Sequence, residues 1–195
     1  MSETSTIVFS LFPRSADPML ATWRSFCADV LAAGQRATFA AETTPDVAGA
    51  VRSVPDVAGA LMPATRALAD GRTLGIWRLL ATNNREIARS AHEYSSRVEA
   101  VAEVTWIREH AADLVAIPVV GVQRANRGWI ATLYGETVMT GSRWYESTST
   151  STGASHDALQ ALRTAVVSES VRVIVPAGSR ARGSAVVHAT MASVW

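Results

Sequence analysis

Four histidines are the first residues to consider for catalysis or metal binding: His92 beside Glu93, His110, His156 beside Asp157, and His188. Two ligands converge on one ion when they lie one helical turn apart or at short spacing along a strand, and no histidine pair here has either spacing. His110 falls near an expected helix C-terminus, where the dipole favours an imidazolium, and His156 falls at an expected helix start. No nucleophile elbow, phosphate loop or dinucleotide glycine pattern is present, and Gly49, Gly59 and Gly71 are too sparse to cradle a phosphate. The reading assigns no catalytic residue, no metal ligand and no cofactor.

A second set is Arg78, Arg124, Arg127, Arg143 and Trp144, with Trp77 and Trp129 beside it. On an uncovered sheet face, interleaved arginine and aromatic side chains stack on bases and contact phosphates, as in single-strand nucleic-acid binders. Trp77 and Trp129, however, open two similar stretches, which is the behaviour of core residues in a duplicated fold. Core packing is therefore expected of the two tryptophans, and single-stranded nucleic-acid binding stands as the alternative function.

The elements that must position these residues follow from patterning. Thr6 to Phe12 is β-branched and aromatic and ends at Pro13, a strand signature. Asp17-Pro18 then supplies a cap and a first-turn proline, and Met19, Leu20, Trp23, Phe26, Cys27, Val30 and Leu31 recur at helical spacing, with Gly34 as the expected terminator. A short echo, Pro45 to Val51 against Pro55 to Leu61, reads as two short helices covering the sheet. Gly75 to Tyr94 reads as two strands about an Asn83-Asn84 turn and a polar corner. Ser96-Arg-Val-Glu99 is a capping box for a helix whose Ala100, Val101, Val104, Ile107 and Ala111 share one face, with Glu99, Glu103 and Glu109 mostly off it.

Val115 to Gln123 reads as a buried strand, and Gly128-Trp129 opens a second hairpin that turns at Tyr134-Gly135-Glu136. Setting Trp77 on Trp129 places Ser90 on Ser142 without a gap. The helices match only at a larger offset, which sets Ala100 on Ala158, begins the second helix near Ser155 and leaves Ser147 to Gly153 as a polar loop insertion. Val171 to Val175 and Ala185 to Trp195 read as a last hairpin.

Strand, turn, strand, Ser-x-x-x-Tyr and a capped helix together resemble the YegP-like family, small proteins of unknown function built from tandem units of about 50 residues. The carrying residues are Trp77, Leu79, Ile87, Ser90, Tyr94, Ser96, Val104, Ile107 and Ala111, then Trp129, Ser142, Tyr145, Leu162 and Val166. Each family unit begins with its own strand, a place that Thr6 to Phe12 can fill in the first copy. The resemblance implies an α+β fold and no known enzyme chemistry.

Composition bounds the rest. With 48% hydrophobic and 18% charged residues over 195 positions, the chain has the means for a proper core. A formal net charge of +1 provides no overall field for nucleic acid or an anionic membrane. Every basic residue is arginine, and Cys27 is a single thiol in an apolar pattern. The start lacks a basic and apolar leader, and Leu114 to Val122 is too short to span a bilayer, so a cytoplasmic protein without membrane association is expected.

The expected architecture is α+β: an antiparallel sheet of tandem strand-strand-helix units with helices on one face, plus an amino-terminal strand and helices. Its parts are residues 1–72, a first unit at 73–123, and a second unit with a carboxy-terminal hairpin at 124–195. The expected function is a non-catalytic interaction or assembly module with a homo-oligomeric or protein partner, since strands as poor in charge as Val115 to Val122 and Val171 to Val175 leave edges that pair with other chains.

Overall fold

The computed structural model describes residues 4–43, 74–122 and 126–174. The strands are β1 (Thr6–Phe12), β2 (Leu74–Leu80), β3 (Glu86–Ser90), β4 (Val115–Val120), β5 (Arg127–Leu133), β6 (Glu136–Gly141) and β7 (Val166–Val173). The helices are α1 (Pro18–Thr43), α2 (Arg97–Glu109) and α3 (Thr148–Thr164). The strands form one sheet in the order β4-β5-β6-β3-β2-β1-β7, antiparallel throughout except where β7 runs parallel to β1. The fold is α+β. The echo at residues 45–61 and most of the expected last hairpin lie outside the described residues.

Neighbouring residues of a strand point to opposite faces, and both faces of this sheet are covered. Trp77, Leu79, Trp129 and Ala131 meet Ala100, Val104 and Ile107 of α2 and Ala158 and Leu162 of α3. Ile76, next to Trp77, meets Leu20, Trp23 and Cys27 of α1, and Val119 and Ile130 meet Val30 and Ala33 further along the same helix. α2 and α3 thus share one face while α1 crosses the other. Each fully buried aliphatic side chain contributes roughly 1.5–3 kcal/mol, so these clusters dominate the stability.

Asp17 caps α1 as its position suggests, Oδ1 accepting from the Met19 N–H at 2.9 Å. Gly34 does not end the helix. A Cβ there would lie 2.5 Å from Cδ1 of Ile130, so this glycine serves the approach of α1 to β5, and the helix runs on to Thr43.

Two segments, β1-β2-β3-α2 and β4-β5-β6-α3, show matched pairing. Phe9 opposes Trp77 as Pro118 opposes Trp129. Leu79 pairs with Ala88 and, past a bulge, Leu80 with Glu86; Ala131 pairs with Met139 and, past a bulge, Thr132 with Thr137. Bridges Gly75–Tyr94 and Arg127–Tyr145 follow in turn. This register sets Ser90 on Gly141 and not on Ser142, because the stretch 133–136 is one residue shorter than 81–85. The shorter connection is a two-residue turn with Tyr134 at φ 52° and Gly135 at φ 88°, whose twist suits a hairpin.

The helices also correspond without an insertion. Ser96 caps α2 by accepting from the Glu99 N–H, and Ser147 caps α3 by accepting from the Thr150 N–H. Ala100, Val104, Ile107 and Ala111 are buried in the first segment, and Ser151, Ser155, Ala158 and Leu162 in the second. Ser147 to Gly153 is therefore the cap and opening turns of α3, not a loop. Hydroxyls reconcile polarity with burial there: Ser151 Oγ donates to the Gly128 carbonyl at 2.7 Å and Ser155 Oγ to the Thr152 carbonyl at 2.8 Å.

Gly75 exchanges both backbone hydrogen bonds with Tyr94, at 2.9 and 2.8 Å, and a Cβ on it would lie 2.2 Å from Cζ of the Phe9 ring. A rigid ring at a strand centre yields little. Gly75→Ala is expected to destabilise the fold by about 2 kcal/mol, and Phe9→Leu in that background to recover part of the loss. Chemical denaturation followed by tryptophan fluorescence measures both.

Candidate functional site

The arginine and tryptophan set is spread over both faces. Arg78 lies on the α1 side of β2, its Nε donating to Glu86 Oε2 at 2.5 Å and its Nη1 to Ser10 Oγ at 3.4 Å. Glu86 Oε1 meets Arg89 Nε, so one carboxylate holds two guanidinium groups. Arg127 is turned toward the start of α3, Nε donating to Thr148 Oγ1 at 3.3 Å. Arg143 is exposed and lies 5.1 Å over the Tyr145 ring. Trp144 packs edge-on against Phe26 of α1 at 5.6 Å, in the space left by Gly121 and Gly128. Trp77 and Trp129 are each 1% exposed. Arg124 lies outside the described residues, and the described members do not converge on one surface.

The histidines are equally dispersed. His92 sits in the polar corner, where its carbonyl accepts from Ser90 Oγ at 2.9 Å, and the adjacent Glu93 takes Nε and Nη2 of Arg24 at 2.6 and 2.8 Å, tying the corner to α1. His110 Nδ1 lies 2.8 Å from the Trp106 carbonyl; a carbonyl only accepts, so that nitrogen carries the proton. The His110, Trp106 and Tyr134 rings contact one another, and the Tyr134 hydroxyl donates to Asp113 Oδ2 at 2.9 Å. This tie raises the Tyr134 pKa. His156 lies inside α3 with its side chain in solvent, and His188 is outside the described residues. Among the described residues no group of three or more His, Cys, Asp and Glu side chains is placed to hold a metal ion.

A hydrogen-bonded cluster of a tryptophan, a tyrosine and a glutamate is buried in the main core. The Trp77 ring N–H donates to the Tyr94 hydroxyl at 3.1 Å, and that hydroxyl contacts Oε2 of Glu103. Glu103 is 4% exposed and its Oε1 has no hydrogen-bond partner. Burial pushes its pKa up, and burial with the neighbouring carboxylate pushes Tyr94 well above the usual phenol range. Helical periodicity alone set Glu103 off the buried face. The missed signal is its spacing of one turn from Ala100 and Ile107, which lets the carboxyl reach back to Tyr94 at the helix entry.

Among the described strands the sheet ends at β4 on one side and β7 on the other. β4 is not a buried strand: Val115 and Val120 are 57% and 51% exposed, and Val122 just beyond is 85% exposed. On β7, Val166 and Val173 are exposed as well. Among the described residues no helix is long and apolar enough to cross a membrane. No protein-family model matches the chain, and searches of the curated proteins and of the solved structures found no match.

Cys27 is buried beneath α1, Sγ lying 3.6 Å from the Ala91 carbonyl, and burial pushes its thiol up to about 11. The thiolate that reacts with disulfide reagents is correspondingly scarce. Labelling of the native protein by a chromogenic disulfide near neutral pH is expected to run about 100-fold slower than that of a free thiol and to recover on denaturation.

Proposed function

We propose that this protein is a non-catalytic, self-associating assembly module of YegP-like design, two copies of a three-strand-and-helix unit, whose contact surface is the outer edge of β4. The observation that carries this reading is an asymmetry between corresponding edges. β1 and β4 hold the same place beside β2 and β5. The outer side of β1 carries β7, whereas β4 is the last of the described strands and presents exposed valines on its outer edge. An apolar edge without charge is a template for another strand.

Pro118 restricts how that template is used. Gly121 N–H donates inward to the Asn126 carbonyl, so alternation along β4 turns the Pro118 nitrogen outward, where the ring removes one donor. On the corresponding edge, β7 opposes Ile7 with Val167 and Phe9 with Val171, leaving the ladder between the two. Phe9 corresponds to Pro118 and is itself paired with Val171, so a strand laid on β4 in that register goes without the one donor that the proline removes.

Light scattering behind size exclusion is expected to show a dimer or larger species at high micromolar concentration. Val120→Lys, which places a charge on the exposed edge, is expected to shift the protein to monomer with unchanged circular dichroism. A wild-type chain that stays monomeric throughout would end this reading. Single-stranded oligonucleotide at low salt is expected to leave the tryptophan fluorescence unchanged, and a salt-sensitive quench would favour nucleic-acid binding instead.

A further inference from the structure

We propose that Glu103 is a proton-operated latch on α2: with the carboxyl protonated the helix stays seated on the sheet, and with the carboxyl ionised the helix loosens. The geometry comes first. Glu103 enters the core with Ala100, Val104 and Ile107, one oxygen meets the Tyr94 hydroxyl, and the other has no partner. A protonated carboxyl loses little in such a place, whereas a carboxylate with one unmatched oxygen carries a desolvation cost. Beside the same helix lies a small, partly open pocket of about 10 Å³, bordered by Ile7, Trp77, Arg97, Ala100 and Val104, with room for about one water.

The groups acting on this carboxyl are few. Tyr94, at the entry to α2, contacts Oε2, and from β2 the Trp77 N–H engages the Tyr94 hydroxyl rather than Glu103 itself. The charge of His92, in the polar corner, favours the ionised form, as does the Tyr94 hydrogen bond. Burial outweighs both and raises the pKa. A detached helix releases this proton in the ordinary glutamate range, near about pH 4.3. The seated helix holds it to higher pH. The stabilisation is therefore complete below the ordinary range and is lost as pH rises through the seated value.

The second segment provides a control inside the same molecule. Ala154 holds the place in α3 that Glu103 holds in α2, since the caps Ser96 and Ser147 and the buried Ala100 and Ser151 correspond. Tyr145 corresponds to Tyr94, and the Trp129 ring nitrogen has no hydrogen-bond partner. α3 has no carboxyl to ionise at that place.

Amide hydrogen exchange of the full chain, expressed as protection relative to the free peptide at each pH, tests the latch. Between mildly acid and mildly alkaline pH, protection in α2 is expected to fall by up to about tenfold per pH unit across the window between the two values, while α3 stays level. In Glu103→Gln, which keeps an acceptor for Tyr94 and cannot ionise, α2 is expected to stay level too. In Tyr94→Phe, which removes a hydrogen bond that favours the carboxylate, the fall is expected to extend to higher pH. Equal loss in α2 and α3, or the wild-type slope retained in Glu103→Gln, would overturn the proposal.

Discussion

The pairing of β3 with β6 is the constraint on which the rest of the molecule depends. It lies inside the sheet, between β5-β6 on one side and β3-β2 on the other, and it is antiparallel, with Ala88 opposite Gly141, Arg89 opposite Thr140 and Ser90 opposite Met139. Through the hairpin registers, Ala88 corresponds to Met139 and Ser90 to Gly141, so each side of this junction presents the other with its own counterpart, about a local two-fold at Arg89 and Thr140. Neither half has a complete sheet without it. Seven strands in one layer become continuous, and helices on the two faces gain a common floor.

Several residues make sense only in relation to that junction. Arg89 reaches the Ser142 carbonyl at 3.3 Å and shares Glu86 with Arg78, while the Ser142 hydroxyl donates to the Glu86 carbonyl at 2.9 Å, so polar bonds cross from one half to the other on the α1 side. On the opposite side the contact is closer. A Cβ on Gly141 would lie 2.8 Å from the Trp129 ring nitrogen, and no serine fits there. Ser90 is tolerated at the corresponding place because the Trp77 nitrogen is drawn toward Tyr94. A difference of one side chain thus accompanies a wider one: one half has a hydrogen-bonded tryptophan, tyrosine and glutamate beneath its helix, and the other has a tryptophan packed on glycine.

This division of labour bears on function. A buried carboxyl under one helix and only hydroxyls under the other provide one helix whose seating responds to a proton and one that stays in place. The two segments also differ at their outer strands, since β7 lies outside β1 and, among the described residues, no strand lies outside β4. The association and the conformational response proposed above rest on valines, a proline and a buried carboxyl. Among the described residues, the histidines and arginines that first attract attention are caps, ion-pair partners and surface side chains.

Local pattern was enough to establish the strand Thr6–Phe12, the two strands within Gly75 to Tyr94, the start of α1 at Asp17-Pro18, the Ser96 cap and the burial of the two tryptophans, because each rests on residues close together in the chain. Apolar and β-branched periodicity is a short-range signal, and it was legible. What distance in sequence hides was decided by tertiary structure. Gly34 read as a terminator because a glycine's lost entropy is visible in sequence, whereas the Ile130 side chain it makes room for is almost a hundred residues away. The Ser-Thr run read as a loop because hydroxyls favour turns, until Gly128 offered Ser151 a carbonyl inside the core. Val115 to Gln123 read as a buried strand because it is apolar, yet strand order left β4 at the end of the described sheet. Glu103 read as solvated because carboxylates usually are, and only the fold brought Tyr94 over it.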